Sequence, residues 1–396
     1  MNYRRVFVTA IGGISALGLD IPSQLHNLLS GSSGLDHPRY LPTLHQQVYI
    51  GEAKASDETL KELLGRNDQY ISRASLLSLK AAEEALKGVN ITSHRYAVFS
   101  GNTGGGMSLT EQHYLSYFKD STPDHVYQTL RNHHCADSTE ILAREYFPGA
   151  INGTISTACS SSANALLLAA RLIRLGKLDA ALAGGVEALS LFTLNGFRSL
   201  KIMEDEPCRP FDTHRKGLNL GEGAAFFLLE SEEQVARSGN QVMGELVGWA
   251  NANDAFHETA TSPEGRGAAM AMRRALEMAG IAPSDIGYIN AHGTGTENND
   301  ATEAAAVATV FGERVPVISS TKGFTGHTLG AAGALEACFA LLAMREGKAF
   351  ANVGMHEQDP AIPFEVNREL RDIDARWVMS NSFGFGGNAT SIVLKG

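Results

Sequence analysis

The sequence predicts an α/β protein built from strand–helix units and divided into two similar halves. Three observations carry that prediction. Short apolar runs alternate with helical patterns along all 396 residues, which implies βαβ units and a mainly parallel sheet. The order of elements repeats: in each half a strand leads into a helix that starts with small residues, and each half closes with two strands after a Gly-rich segment. Two segments, Ala163–Ala170 and Leu329–Ala343, are apolar almost all round, and a helix of that kind is buried on every side.

The strands expected in the first half are Val6–Ile11, Tyr96–Ser100, Gly153–Thr157, Ala180–Ala183 and Ala224–Glu230. Those of the second are Met243–Asn251, Tyr288–Ala291, Val315–Ser319, Trp377–Ser380 and Thr390–Leu394. Helical periodicity covers Ser72–Leu86, Ser161–Leu175, Gly267–Ala279, Ala301–Phe311 and Ala331–Arg345. The seam falls near Ser238-Gly239-Asn240, which gives halves of 1–240 and 241–396.

Composition narrows the function. The chain is 43% hydrophobic and 19% charged, ordinary for a soluble domain with a sizeable core. Its net charge of −10 speaks against a nucleic-acid partner, which calls for a basic face. Arg4-Arg5 followed by Val6–Leu17 imitates a signal peptide, but Thr9, Gly12, Gly13 and Ser15 interrupt the apolar part. A buried first strand accounts for it better. No run of 18 apolar residues exists, so no membrane span is expected. The four cysteines, Cys135, Cys159, Cys208 and Cys338, are scattered without a C-x-x-C pair. A reducing, cytoplasmic setting suits them, and no metal is expected at His133-His134-Cys135. Gly101-Asn-Thr-Gly-Gly-Gly106 fits neither a dinucleotide fingerprint nor a phosphate loop.

The chemistry gathers at loops. In Ile155-Ser-Thr-Ala-Cys159-Ser-Ser-Ser-Ala-Asn164 an apolar run breaks into small polar residues and restarts as a helix. A thiol at a helix start meets free N–H groups and the positive end of the dipole, which favour a nucleophilic thiolate. Tyr288-Ile-Asn-Ala-His292-Gly-Thr-Gly-Thr296 is a buried strand ending in a histidine and a Gly/Thr turn, where α/β sheets place their sites. Ser320-Thr-Lys322-Gly-Phe-Thr-Gly-His327 repeats the pattern, with a lysine five residues ahead of the histidine. Ser380-Asn-Ser-Phe383-Gly-Phe385-Gly-Gly-Asn388 is a Gly-rich turn able to aim N–H groups at an anion. One cysteine with two histidines from separate strand ends suits acyl transfer from a thioester followed by condensation with an enolate. A cysteine protease needs one histidine and an orienting Asn or Asp.

These residues resemble the β-ketoacyl-acyl-carrier-protein synthases of the Cys-His-His type, from Arg5 to Lys395. The motifs are Thr157-Ala-Cys159-Ser-Ser, Arg209-Pro-Phe-Asp212 with Gly221-Glu-Gly223-Ala, Asn290-Ala-His-Gly-Thr-Gly-Thr296, Thr321-Lys322 with Gly326-His327, and Asn381-Ser-Phe-Gly-Phe-Gly-Gly387. The resemblance implies the thiolase fold, a five-layered αβαβα sandwich. It implies that Cys159 carries the acyl group and that His292 and His327 hold the malonyl thioester as its enolate develops, with Lys322 and Glu336 completing the network. The N–H groups of Cys159 and Phe385 would form the oxyanion hole. Phe383 and Phe385 would border the substrate, Phe385 as a gate, Thr294 and Thr296 would bind the pantetheine arm, and Met107 would help set chain length. Glu336 also reads as a structural ion-pair partner of Lys322, and the threonines as turn formers.

The resemblance further implies fatty-acid or type II polyketide or aryl polyene elongation. It implies a dimer, homomeric or with a chain-length-factor-like subunit, and an acyl carrier protein whose own phosphopantetheine makes any other cofactor unnecessary. The alternative is a non-catalytic, chain-length-determining partner subunit, which would lack the nucleophile. A degradative thiolase would carry a second cysteine near the end, and Phe383–Gly387 has none. Three departures stand out: Lys216 replaces a usual acid, which weakens ion pairing there; Glu297-Asn298-Asn299 replaces a proline turn; and Gly387-Asn388-Ala389 is one residue short.

Overall fold

A computed structural model describes residues 3–93, 95–114, 127, 129–257 and 261–396. The first half supplies β1 (Val6–Ser15), β2 (Tyr96–Gly101), β3 (Ile151–Ile155), β4 (Ala180–Glu187) and β5 (Gly223–Ser231). The second supplies β6 (Gly244–Asn253), β7 (Ile286–Asn290), β8 (Val317–Ser319), β9 (Lys348–Ala349), β10 (Arg371–Asp372), β11 (Trp377–Phe383) and β12 (Asn388–Lys395). Apart from the small β9–β10 pair, they join in one sheet of order β3-β2-β4-β5-β1-β6-β12-β11-β7-β8. Outward from the β1–β6 junction, the two sides read β1-β5-β4-β2-β3 and β6-β12-β11-β7-β8. Each side runs first strand, last, fourth major strand, second, third, with matching antiparallel and parallel pairings.

The sheet is mixed, not mainly parallel as expected. Only the pairings among β2, β3 and β4, and among β7, β8 and β11, are parallel. The closing strand of each half returns between its first and fourth strands and pairs antiparallel with both. Apolar runs mark buried strands without specifying their direction, so composition could not reveal this.

Among the described residues, three of the four apolar cores line three helical layers. The Arg73–Leu86 and Asp137–Tyr146 helices cover one outer face of the first half. Arg266–Ala279 and Glu297–Phe311 cover the outer face of the second. Between the halves lie Ser161–Arg174 and Ala332–Glu346, and their apolar sides form the central core. Every residue from Ala332 to Met344 is buried. The other central helix departs from expectation: Leu167, Leu168 and Leu172 are only partly buried, so one flank is open in the single chain.

The starts of the two central helices touch. A Cβ at Gly333 would lie 2.7 Å from Ala163 Cβ and 2.8 Å from Ala163 N, and the Ala334 N–H donates to Ser162 Oγ at 2.9 Å. The small residues at both starts allow this approach. Replacing Gly333 by Ala forces the starts apart, and overpacking of this kind costs about 1–3 kcal/mol. Chemical denaturation of Gly333→Ala should show that loss; an unchanged midpoint would contradict the packing.

Candidate active site

The nucleophile's placement begins with backbone strain. Ala158 sits at φ 51°, in the left-handed region that a residue with a Cβ rarely adopts. This elbow turns the chain from β3 into the Ser161–Arg174 helix. Cys159 stands two residues ahead of that helix rather than within its first turn. Its Sγ lies 3.0 Å from His327 Nε2, and the Phe385 N–H reaches the sulfur from the Gly-rich turn. The expected effect of the helix dipole does not dominate. Burial pushes the Cys159 thiol up to about 12, and the nearby Lys322 charge and the Phe385 N–H offset only part of this. The resting group is a thiol.

His292 follows β7 on a loop fixed by Glu303, whose carboxylate accepts the His292 N–H at 2.9 Å and the Gly293 N–H at 2.8 Å. Its ring meets that of His327 edge-on, with centroids 5.1 Å apart, and lies 5.8 Å from the Phe383 ring. The Lys322 ammonium is 3.2 Å from His292 Nδ1 and also contacts the His292 carbonyl. An ammonium only donates, so Nδ1 accepts and Nε2 carries the ring proton. Glu336, on the other central helix, pairs with Lys322 and reaches within 4.0 Å of His292 Nδ1. Burial raises the Glu336 carboxyl to about 7 against the pull of Lys322. Burial, reinforced by Lys322, holds both histidines well below 6.5.

Donor atoms of Cys159, His292 and His327 lie within 4.8 Å of one another. Such a trio resembles a zinc donor set, but the Lys322 ammonium beside His292 opposes a dication. A channel of about 270 Å³ ends on this trio, lined by Thr294, Thr296, Asn298, Asn299, Phe383 and Phe385 among others. The Thr294 and Thr296 hydroxyls are 2.9 Å apart. A second pocket, of about 510 Å³, leaves Cys159 in another direction past Thr103, Gly104, Met107, Phe192 and Leu329. Phe385 borders both and stacks on Phe197 at 6.0 Å.

Residues 3–235 match the β-ketoacyl synthase N-terminal domain, and 243–356 match its C-terminal domain. The chain belongs to the β-ketoacyl synthase family. A 3-oxoacyl-[acyl-carrier-protein] synthase 2 of Staphylococcus aureus (strain COL) is 33% identical, over 99% of this chain and 98% of its own. The protein of the same name from Coxiella burnetii is 33% identical over 100% and 99%. Among solved structures, the ishigamide ketosynthase/chain length factor is 29% identical, with a TM-score of 0.89 and 99% of both chains covered. A ketosynthase (ApeO) in complex with its chain length factor (ApeC) from Xenorhabdus doucetiae is 33% identical, with a TM-score of 0.83 over 99% of this chain and 98% of that one. The fold is therefore the thiolase fold of ketosynthases, and the protein is a condensing acyltransferase.

Every site residue expected from the synthase's sequence lies on the channel, on the second pocket, or in the lysine network behind the histidines. Expected weak ion pairing near Lys216 is not found. Arg215 pairs with Asp359 at 2.7 Å and lies 3.6 Å from Asp300, so the exposed Lys216 leaves that cluster intact. The sequence reading missed Glu303. An acid at this position looks like a helix-surface residue until the fold shows it buried beneath His292, with burial raising it to about 7. The shortened terminal turn has its own anchor: Asn388 Oδ1 accepts from Ser160 Oγ at 2.6 Å and Asn251 Nδ2 at 2.8 Å.

The neutral histidines contribute a pH dependence of stability. Unfolded histidines bind protons near 6.5, whereas these do so only well below it. Their contribution to stability is thus complete above about 6.5 and is lost as pH falls. Lys322→Met/Glu336→Gln removes both charges together and strands neither. Without Lys322, His292 should protonate more readily, and the acidic limb of malonyl decarboxylation should move to higher pH. A pH–rate profile with an unmoved limb would refute the coupling.

Proposed function

We propose that Cys159, His292 and His327 carry out decarboxylative condensation, joining an acyl group on Cys159 to a malonyl unit. The observation that supports this reading most strongly is the convergence of the three residues at the inner end of one channel, with Lys322 fixing the His292 tautomer. The acyl thioester of a carrier protein enters with its pantetheine arm along Thr294 and Thr296. The Cys159 thiol attacks the carbonyl as its proton passes to His327 Nε2. The tetrahedral oxyanion lies between the Cys159 and Phe385 N–H groups, donors each worth roughly a hundredfold or more in rate. The carrier thiolate leaves and takes up the proton. The acyl chain lies in the second pocket past Met107, with Phe385 as the gate between the two spaces.

Malonyl carrier protein follows. As the carboxyl–carbon bond breaks, carbon dioxide departs and the electron pair becomes an enolate, whose oxygen accepts hydrogen bonds from the His292 Nε2–H and from His327. The neutral His327 ring takes the Nε2–H tautomer once Cys159 is acylated and no thiol proton faces it. The enolate carbon attacks the acyl-enzyme, the Cys159 C–S bond breaks, the departing thiolate takes up one proton from solvent to restore the resting thiol, and 3-oxoacyl carrier protein is released. Glu336 holds Lys322, and Phe383 packs against His292. The route needs no metal and no cofactor beyond the carrier's phosphopantetheine.

Chain elongation of this kind serves fatty-acid or type II polyketide or aryl polyene synthesis, and the departures near the channel favour a specialised pathway. The division at 240/241 is supported by the matching strand order. A dimer, homomeric or with a chain-length-factor-like subunit, suits exposed Ile151 on edge strand β3, the open leucines of the Ser161–Arg174 helix and exposed Phe192. A cytoplasmic setting suits four free cysteines, and among the described residues no helix is long and apolar enough to cross a membrane. The non-catalytic reading is not favoured, because Cys159 and the whole His-Lys-His set are present.

Cys159→Ala should fold and fail to load an acyl group. Intact-protein mass spectrometry showing a stable acyl adduct in that variant would overturn the assignment. Product analysis with malonyl carrier protein and saturated, polyunsaturated and aryl starters should show turnover beyond saturated chains; exclusive turnover of saturated chains by the homodimer would defeat the specialised reading.

A further inference from the structure

Glu187, the last residue of β4, is fully buried beside the site but takes no part in the chemistry above. Its oxygens accept four donors. Oε2 takes the Thr103 N–H at 3.1 Å, the Thr103 hydroxyl at 2.5 Å and the Gly330 N–H at 3.0 Å, and Oε1 takes the Gly104 N–H at 2.7 Å. These donors come from two remote segments, the Gly-rich loop after β2 and the turn between His327 and the Ala332–Glu346 helix. Neither segment touches the carboxylate by accident of a long side chain. A Cβ would come within 2.7 Å of Oε1 at Gly104 and within 2.6 Å of Oε2 at Gly330.

Both segments wall the second pocket: Thr103, Gly104 and Met107 from one, and Leu329 from the other. Leu329 is itself at φ 45°, a strained backbone state for a residue with a Cβ. Such strain persists only where neighbours hold it, and the next residue's N–H is one of those held by Glu187. Burial pushes the carboxyl upward, while the four donors stabilise the anion. Among the described residues no ion pair engages Glu187.

We infer that Glu187 is a positioning residue that clasps the two walls of the acyl pocket and thereby sets which acyl chains load onto Cys159. This rests on the functional reading above, in which the second pocket receives the acyl chain. In the Gly101–Gly106 loop the Thr103 and Gly104 N–H groups are accordingly directed to an internal carboxylate, and the Gly105 N–H to Asn102 Oδ1.

The test is the efficiency of Cys159 acylation, read by mass spectrometry with short-chain and long-chain acyl carrier protein as donors. Glu187→Gln presents an amide N–H to donors that need an acceptor, so one wall must move away. The ratio of long-chain to short-chain kcat/KM should shift by about tenfold, equivalent to about 1.4 kcal/mol. Thr103→Val removes a single hydroxyl bond at almost constant shape and should shift the ratio in the same direction by less. It carries the test if Glu187→Gln does not fold. A purely structural role would lower the melting temperature and leave the ratio unchanged. Wild-type protein that never acylates Cys159 would overturn the functional reading; wild-type acylation with unaltered ratios in the folded variants would overturn this inference alone.

Discussion

Two helices that begin at one point inside a protein cannot both carry side chains there. The contact of Gly333 with Ala163 is that constraint, and the site depends on it. It brings the Ser161–Arg174 helix, preceded by Cys159, against the Ala332–Glu346 helix, preceded by His327 and bearing Glu336 in its second turn. Because the helices come from opposite halves of the sheet, no local stretch of chain can assemble the site. The repeated strand order is what makes the convergence possible: each half delivers a loop from the end of a parallel strand, and the helices behind those loops fill the space between halves.

Dryness then governs the chemistry. Burial is the leading influence on Cys159, on both histidines and on Glu336, and in every case it disfavours charge. The site therefore rests with a protonated thiol and neutral imidazoles. A thiolate stored at rest would be a weaker nucleophile than one formed during attack, since nucleophilicity falls with pKa. A neutral imidazole at 3.0 Å from the sulfur is suited to receive the proton at that moment. The same neutrality lets His292 donate through Nε2 to a developing enolate without carrying a fixed charge. The Lys322 side chain keeps Glu336 and the His292 carbonyl as close partners.

How far this could be read from the sequence depends on the kind of residue. Cys159, His292, Lys322 and His327 were legible because reactive side chains stood at breaks in apolar runs, and the central helices because they lacked a polar face. Helix limits came within a few residues for Arg73–Leu86 and Arg266–Ala279, where periodicity was strong. Strand direction was not legible, since an apolar run looks the same either way. Glu187 and Glu303 were hidden for a different reason: an acid in a sequence reads as surface, and only tertiary structure shows which backbone N–H groups it serves. Ala158 was hidden because its strain is a property of the turn rather than of alanine.

The buried acids suggest a common principle behind what the sequence concealed. Glu303 holds the backbone of the His292 loop, and Glu187 holds the Thr103–Gly104 and Gly330 backbones. Each uses a carboxylate, with two oxygens and no donor, to fix a loop whose N–H groups have no strand to pair with. Water could satisfy those groups equally well at a surface, but here it would hydrate the space that must stay dry for the thiol and imidazoles to remain neutral. A buried acid supplies the acceptors without admitting solvent, and backbone donors lower the penalty of its charge. Loop precision and site dryness therefore follow from the same side chains.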